Sequence, residues 1–205
     1  MSEIPVEIGL DIAALNQALQ RDPWNVELMI ELGELYAEAG RDDQAIEMLE
    51  RAHALRPPNP RTLHLLGCAC LQTDRLTEAV ASLEEALRGA PDNVRVLVDL
   101  GWAYREVERI FDALEMFNHV IRLDPNFAAG HYGRGMCYIS LDDYAEAAAA
   151  LRETVRLEPS YTPAIYNLGV CYLVLGDRAS ALRVYRELRH VDPSHAKLLL
   201  VQMEG

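Results

Sequence analysis

The sequence predicts an all-α repeat protein built of stacked antiparallel helix pairs, and three regularities carry that prediction. Gly33, Gly67, Gly101, Gly135 and Gly169 fall 34 residues apart. Pro23, Pro57, Pro91, Pro125, Pro159 and Pro193 keep the same interval. So do Ala45, Ala79, Ala113, Ala147 and Ala181. Five cycles without an insertion or deletion mark an internal repeat. A unit of 34 residues is too small to bury its own apolar face, so units must stack. Stacking yields an extended, grooved solenoid rather than a globule around one pocket.

The elements follow in chain order. Residues 1–25 form an N-terminal segment and a capping half-repeat. Ile4, Val6 and Ile8 suggest a short extended stretch. A lone helix between Ile8 and Asn25 is then expected, with Ile12, Leu15, Ala18 and Leu19 on one face and Pro23 as its stop. Five units follow at 26–59, 60–93, 94–127, 128–161 and 162–195.

In the first unit Met29, Leu32, Gly33 and Tyr36 are spaced i, i+3, i+4, i+7, one apolar face of a helix. A helix-interior glycine costs about 1 kcal/mol relative to alanine. Its retention in every unit implies close approach of a second element, expected to be Ala45 against Gly33. Ala45, Ile46, Leu49 and Ala52 form the second helix of the pair. Gly40-Arg41-Asp42 makes the turn between them, glycine tolerating the left-handed conformation that ends a helix. Gly176-Asp177-Arg178 does the same in the fifth unit. Pro57 ends the second helix, and Asp-Pro at 22–23, 124–125 and 192–193 marks equivalent boundaries.

Residues 196–205 begin a sixth first-helix that stops after about two turns. Leu199 and Met203 can cover the fifth unit, but Leu198, Leu200 and Val201 cannot all turn inward with them. Docking on a second subunit and continuation in a longer parent chain are the two explanations.

These slots resemble the tetratricopeptide repeat. The family's Leu-Gly, Tyr, Ala, large apolar, Ala and Pro positions are met by Leu63, Leu66, Gly67, Ala79, Leu83, Ala86 and Pro91 in the second unit. The third has Leu97, Leu100, Gly101, Tyr104, Ala113, Phe117 and Pro125; the fourth has Gly135, Tyr138, Ala147, Leu151 and Pro159. The fifth has Ile165, Leu168, Gly169, Tyr172, Ala181, Tyr185 and Pro193. Departures are few: the early tryptophan is missing throughout, Cys70 replaces tyrosine, and His131 and Arg134 occupy apolar slots. The resemblance implies a right-handed superhelical solenoid whose first helices line a concave surface. It is specific for fold and nearly silent on function.

Composition bounds the function class. The formal charge is −13, which argues against a nucleic-acid backbone as partner. No apolar run approaches the roughly 20 residues that span a bilayer. Met1 to Asp11 is acidic and unlike a signal peptide, so a cytoplasmic address is expected. Four cysteines make no disulfide framework, and Cys137 and Cys171 read as small buried hydrophobes. Arginine far outnumbers the single lysine, Lys197, which hints at a GC-rich bacterial genome.

Residues about 100° from the packing face of each first helix should point into the groove. At the N-terminal end these include Glu27, Glu31, Glu34 and Glu38, four carboxylates with no lysine or arginine among them. Arg61, His64 and Cys68 follow in the second unit, and Arg95, Asp99, Trp102 and Arg105 in the third. Tyr132, Met136, Tyr166, Asn167 and Val170 make the C-terminal end aromatic and aliphatic. The expected ligand is a protein segment, apolar against the aromatic end and basic near the glutamates. The glutamates read equally as a solvated face, and Tyr132, Tyr166 and Asn167 equally as family packing residues. Trp102 stands out because the resemblance does not call for tryptophan there. Some family members clamp acidic tails with lysines and asparagines; Ile30, Glu34 and Asp99 occupy those slots here, so no such clamp is expected.

Catalysis is not expected: no P-loop, G-x-S-x-G or H-E-x-x-H motif is present. No cofactor is called for. His64 and Cys68 are one turn apart on one helix face, but zinc wants further ligands and the sequence shows no second pair. Cys68 and Cys70 point to different faces. The readings that remain are a non-enzymatic scaffold or adaptor, a dedicated chaperone of one client, or a regulatory module of a larger protein. Homodimerisation through the exposed terminal helices is a further expectation.

Overall fold

The computed structural model describes residues 6–56 and 59–204. Among these lie twelve helices and no strand. The helices are α1 (Val6–Arg21), α2 (Val26–Glu38), α3 (Asp42–Leu55), α4 (Pro60–Gln72), α5 (Leu76–Gly89) and α6 (Val94–Glu106), then α7 (Ile110–Leu123), α8 (Ala128–Ser140), α9 (Tyr144–Leu157), α10 (Thr162–Val174), α11 (Arg178–Val191) and α12 (Pro193–Glu204). The chain is all-α, in the repeating hairpins that the spacing predicts. Two compact units divide it, Met1–Val107 and Glu108–Gly205.

In the first unit α2 packs on α3 and α4 on α5, while α1, α3 and α5 each pack on the first helix that follows. The fully buried Leu32, Ala45, Leu49 and Ala52 form its central seam. In the second unit α8 packs on α9 and α10 on α11, with α7 against α8 and α12 against both α10 and α11. Phe117, Leu151, Leu188 and Leu199 are fully buried there.

Gly33 faces the side chain of Leu49 rather than Ala45. A Cβ built on Gly33 would sit 2.7 Å from Leu49 Cγ. Gly67 meets Leu83 at 2.5 Å and Gly135 meets Leu151 at 2.9 Å in the same way. The alanine contributes a backbone oxygen, Ala79 O at 3.3 Å and Ala147 O at 3.5 Å from the added Cβ. The glycine therefore makes a socket for a leucine one turn beyond the alanine. At Gly169 the socket is filled mainly by Leu199 of α12, 2.6 Å from the added Cβ.

Helix boundaries have local causes. Asn25, Asn59 and Asn93 cap α2, α4 and α6 by accepting from Leu28 N, Arg61 N and Arg95 N at 3.0–3.1 Å. Phe127 and Tyr161 hold the same slot in the later repeats and cannot cap. Gly40 and Gly176 take the predicted left-handed turn, φ 66° and 77°. Asp74, Glu108 and Asp142 adopt it too, at φ 57–60°, so the turn belongs to the repeat rather than to glycine.

Two segments differ from expectation. Val6 and Ile8 lie inside α1 and are not extended; Ile4 is outside the described residues, as is Pro57. The last helix starts at Pro193, not near residue 196, because proline suits a first helical turn and the Asp192 carboxylate accepts from Ser194 N and His195 N. Leu199 is buried and Met203 half-buried, while Leu198 and Val201 are 54% and 61% exposed.

His131 is buried at an apolar slot because its Nε2 reaches the Pro125 carbonyl oxygen at 2.9 Å. Gly133 beside it leaves room for the Phe117 ring, which would lie 2.2 Å from a Cβ there. Gly133→Ala should lower stability by about 1–3 kcal/mol, because buried Phe117 has no space to retreat. Gly9→Ala, at an open position of α1, should instead raise it by up to about 1 kcal/mol. Denaturant melts of both variants beside wild type check this opposite pair of signs.

Candidate functional site

The outward face of the first helices is where these side chains can act, since the inward face is consumed by packing. None of the predicted lining residues is buried: Glu27, Glu31, Glu38, Arg61 and Arg95 are exposed, and Glu34, His64, Trp102, Arg105, Tyr132, Met136, Tyr166, Asn167 and Val170 are half-buried.

On the first unit, α2, α4 and the flanking residues Arg56 and Asn59 border an open cleft of about 400 Å³ lined by Glu27, Ile30, Glu31, Glu34, Arg56, Asn59 and Arg61. The expectation of four unneutralised glutamates is corrected here. Arg56 Nη1 lies 2.5 Å from Glu27 Oε1, and Arg61 pairs with Glu34. The partners sit 29 and 27 residues along the chain, so only the fold brings them together. Backbone hydrogen bonding and then Arg56 hold the Glu27 carboxyl below its ordinary range. Among the described residues Glu31 and Glu38 have no ion-pair partner. The cleft is thus mixed in charge at its Arg56–Arg61 side and acidic beyond.

Further along this unit, Asp99 of α6 reaches back to α4. Its Oδ2 is 2.6 Å from His64 Nε2 and 3.5 Å from Cys68 Sγ. The imidazole N–H and the thiol S–H both donate to one carboxylate oxygen. Burial first, then Asp99, push the Cys68 thiol up to about 12. That thiol stays protonated at neutral pH and is no activated nucleophile. Cys70 faces the core and is buried, as the separate-face reading expected. Arg105 lies over the Trp102 ring at 5.8 Å.

On the second unit, Asn167 of α10 reaches back to α8: its Nδ2 donates to Tyr132 Oη and Met136 Sδ, both at 3.4 Å. Tyr132 meets Tyr161 edge to face at 5.0 Å. Tyr166 meets His195 at 5.5 Å and accepts from Gln202 Nε2 at 3.1 Å. Tyr132, Tyr166 and Val170 pack partly on the core. These aromatics therefore serve packing with one edge and remain open at the other.

The two polar bridges are one device. Tyr132, Met136 and Asn167 stand two repeats after His64, Cys68 and Asp99. All six are lining positions on the sequence alone, but nothing within one repeat joins them. Counting across repeat periods is the signal that links the triads.

Among the described residues no helix is long and apolar enough to cross a membrane. Tetratricopeptide repeat family models match residues 12–67 and 138–202, 98–162, and 60–93. No curated protein matches significantly. Among solved structures the chain is similar to YrrB, described as a TPR protein with an unusual peptide-binding site, at 21% identity and TM-score 0.77, over 94% of this chain and 98% of that one. It is also similar to MamA, at 22% identity and TM-score 0.75 over 84% and 94% of the two chains. MamA from Desulfovibrio magneticus RS-1 gives 18% identity and TM-score 0.77 over 82% and 96%. At these identities the likeness concerns the fold.

Asp99→Asn should speed alkylation of Cys68 at pH 8 several-fold, since it removes a negative charge that opposes the thiolate. Tandem mass spectrometry of the labelled peptide separates Cys68 from Cys70. An unchanged rate would mean burial alone controls the thiol.

Proposed function

The chain belongs to the tetratricopeptide repeat family, and we propose that it is a non-catalytic protein–protein interaction module, a scaffold or adaptor that binds a partner's peptide or helix on the outward face of its first helices. The carrying observation is the half-buried set Tyr132, Met136, Tyr166, Asn167 and Val170 on α8 and α10. Aromatic side chains held by neighbours at one edge offer contact area at low entropic cost, and Met136 adds an adaptable apolar surface beside them. The peptide-binding description of YrrB supports the same use of this fold. Trp102, stacked by Arg105, offers a second anchor on the first unit.

The partner's basic residues would meet Glu31 and Glu38, the lining carboxylates that no arginine neutralises among the described residues. A non-catalytic role is supported by the protonated Cys68 thiol beside His64 and Asp99. A cytoplasmic address belongs to the same proposal. Leu198 and Val201, exposed on α12, favour a homodimer as an additional association; light scattering showing a strict monomer at high concentration would remove it.

Affinity capture with wild type beside Trp102→Ala and Tyr132→Ala tests the surface. Each should weaken binding by about 2 kcal/mol where the residue is a hot spot. Equal recovery of partners by wild type and the double variant would place binding elsewhere. Several stable partners fit an adaptor, whereas one client made soluble only by co-expression fits a dedicated chaperone.

Glu31→Lys combined with Glu38→Lys should slow association about tenfold at low salt and flatten its salt dependence. Stopped-flow association at two ionic strengths, using a captured partner, reads this out.

A further inference from the structure

We propose that His64, Cys68 and Asp99 form a zinc-binding site on the first unit, with a fourth coordination position open to water or to an incoming donor. The inference does not depend on the peptide-binding reading. His64 and Cys68 project from the same face of α4, one turn apart, and Asp99 comes from α6, the next first helix. Their nearest donor atoms all lie within 4.8 Å of one another.

Zinc bond lengths of about 2.0–2.3 Å set tetrahedral edges of roughly 3.3–3.6 Å. The 3.5 Å between Asp99 Oδ2 and Cys68 Sγ already matches such an edge. The 2.6 Å between Asp99 Oδ2 and His64 Nε2 is a hydrogen bond, and it opens by less than about 1 Å to admit the ion. Imidazole, thiolate and carboxylate are the donor types zinc accepts, and three protein ligands with one open position is an established zinc arrangement. On binding, one zinc–sulfur bond forms and the Cys68 thiol proton leaves to solvent. The side chains of His64 and Asp99 are 18% and 34% exposed, so the ion has an entry path without being fully hydrated.

The second unit supplies the internal contrast. Its matching triad, Tyr132, Met136 and Asn167, keeps the bridge between neighbouring first helices with side chains unsuited to zinc. The repeat geometry therefore allows a bridge at these slots without metal-ligand side chains. Three zinc-ligand types in all three positions is particular to His64, Cys68 and Asp99.

The test uses the full chain, reduced and stripped with chelator, titrated with zinc in competition with a chromophoric chelator. Wild type should take up one zinc per chain. Cys68→Ser and His64→Gln should each weaken binding by more than about tenfold, the loss that removing even an outer-shell partner produces. Cobalt(II) should give a thiolate charge-transfer band that Cys68→Ser abolishes. Asp99→Asn keeps the side chain's shape and should also weaken binding, which guards against a folding defect in the other variants; circular dichroism verifies each fold. Glu47→Gln, at an exposed position of α3, should leave zinc uptake unchanged. Wild-type binding no tighter than that of Cys68→Ser, or a cobalt band that survives in that variant, overturns the proposal and leaves the triad as a hydrogen-bonded clamp.

Discussion

The packing of a large side chain into a glycine socket sets the distance between the two helices of a hairpin, and the rest of the structure depends on that distance. Leu49 fills the space over Gly33, Leu83 that over Gly67 and Leu151 that over Gly135. The helical propensity lost at each glycine is about 1 kcal/mol. A buried leucine in close contact returns more than that, roughly 1.5–3 kcal/mol for its apolar surface. The exchange holds only if the two helices stay in one register, so the glycine fixes register as well as distance. Phe117 shows the same constraint at a larger size: its ring lies against Gly133 and is fully buried.

With one face of each first helix committed in this way, variation is left to the outward slots. The fold then uses some of those slots for cohesion. Asp99 and Asn167 each reach back to the preceding first helix, where they bond two side chains at once. A single polar residue can thus tie neighbouring repeats while leaving the tie within reach of solvent. Its chemistry follows from its partners: a neutral amide among phenol and thioether on the second unit, a carboxylate among imidazole and thiol on the first. The second triad offers apolar edges, and the first offers nitrogen, sulfur and oxygen donor atoms.

Much of the fold could be read directly. The 34-residue interval gave the helix pairs, the buried faces and the turns at Gly40 and Gly176. Less legible was what fills the glycine socket, because Ala45 and Leu49 share a helix face and spacing alone cannot rank them. The left-handed turns at Asp74, Glu108 and Asp142 were hidden because a non-glycine residue gives no local sign of its backbone angle. The candidate site was legible as a set of positions outside the packing face, which the structure leaves exposed or half-buried. Its electrostatics were not, since Arg56 and Arg61 lie outside the helix whose glutamates they neutralise.

Sequence by itself determined the period, the helix count to within the terminal elements and the faces available for packing, because each rests on spacing within a single helix or on identity one repeat later. Tertiary structure decided the partners: which carboxylate is paired, which leucine enters which socket, and that Asp99 joins His64 and Cys68. The physical reason is range. Helical periodicity acts over a few residues and is written locally, whereas ion pairs and ligand clusters depend on side-chain reach between helices about thirty residues apart, a distance that only the completed fold closes.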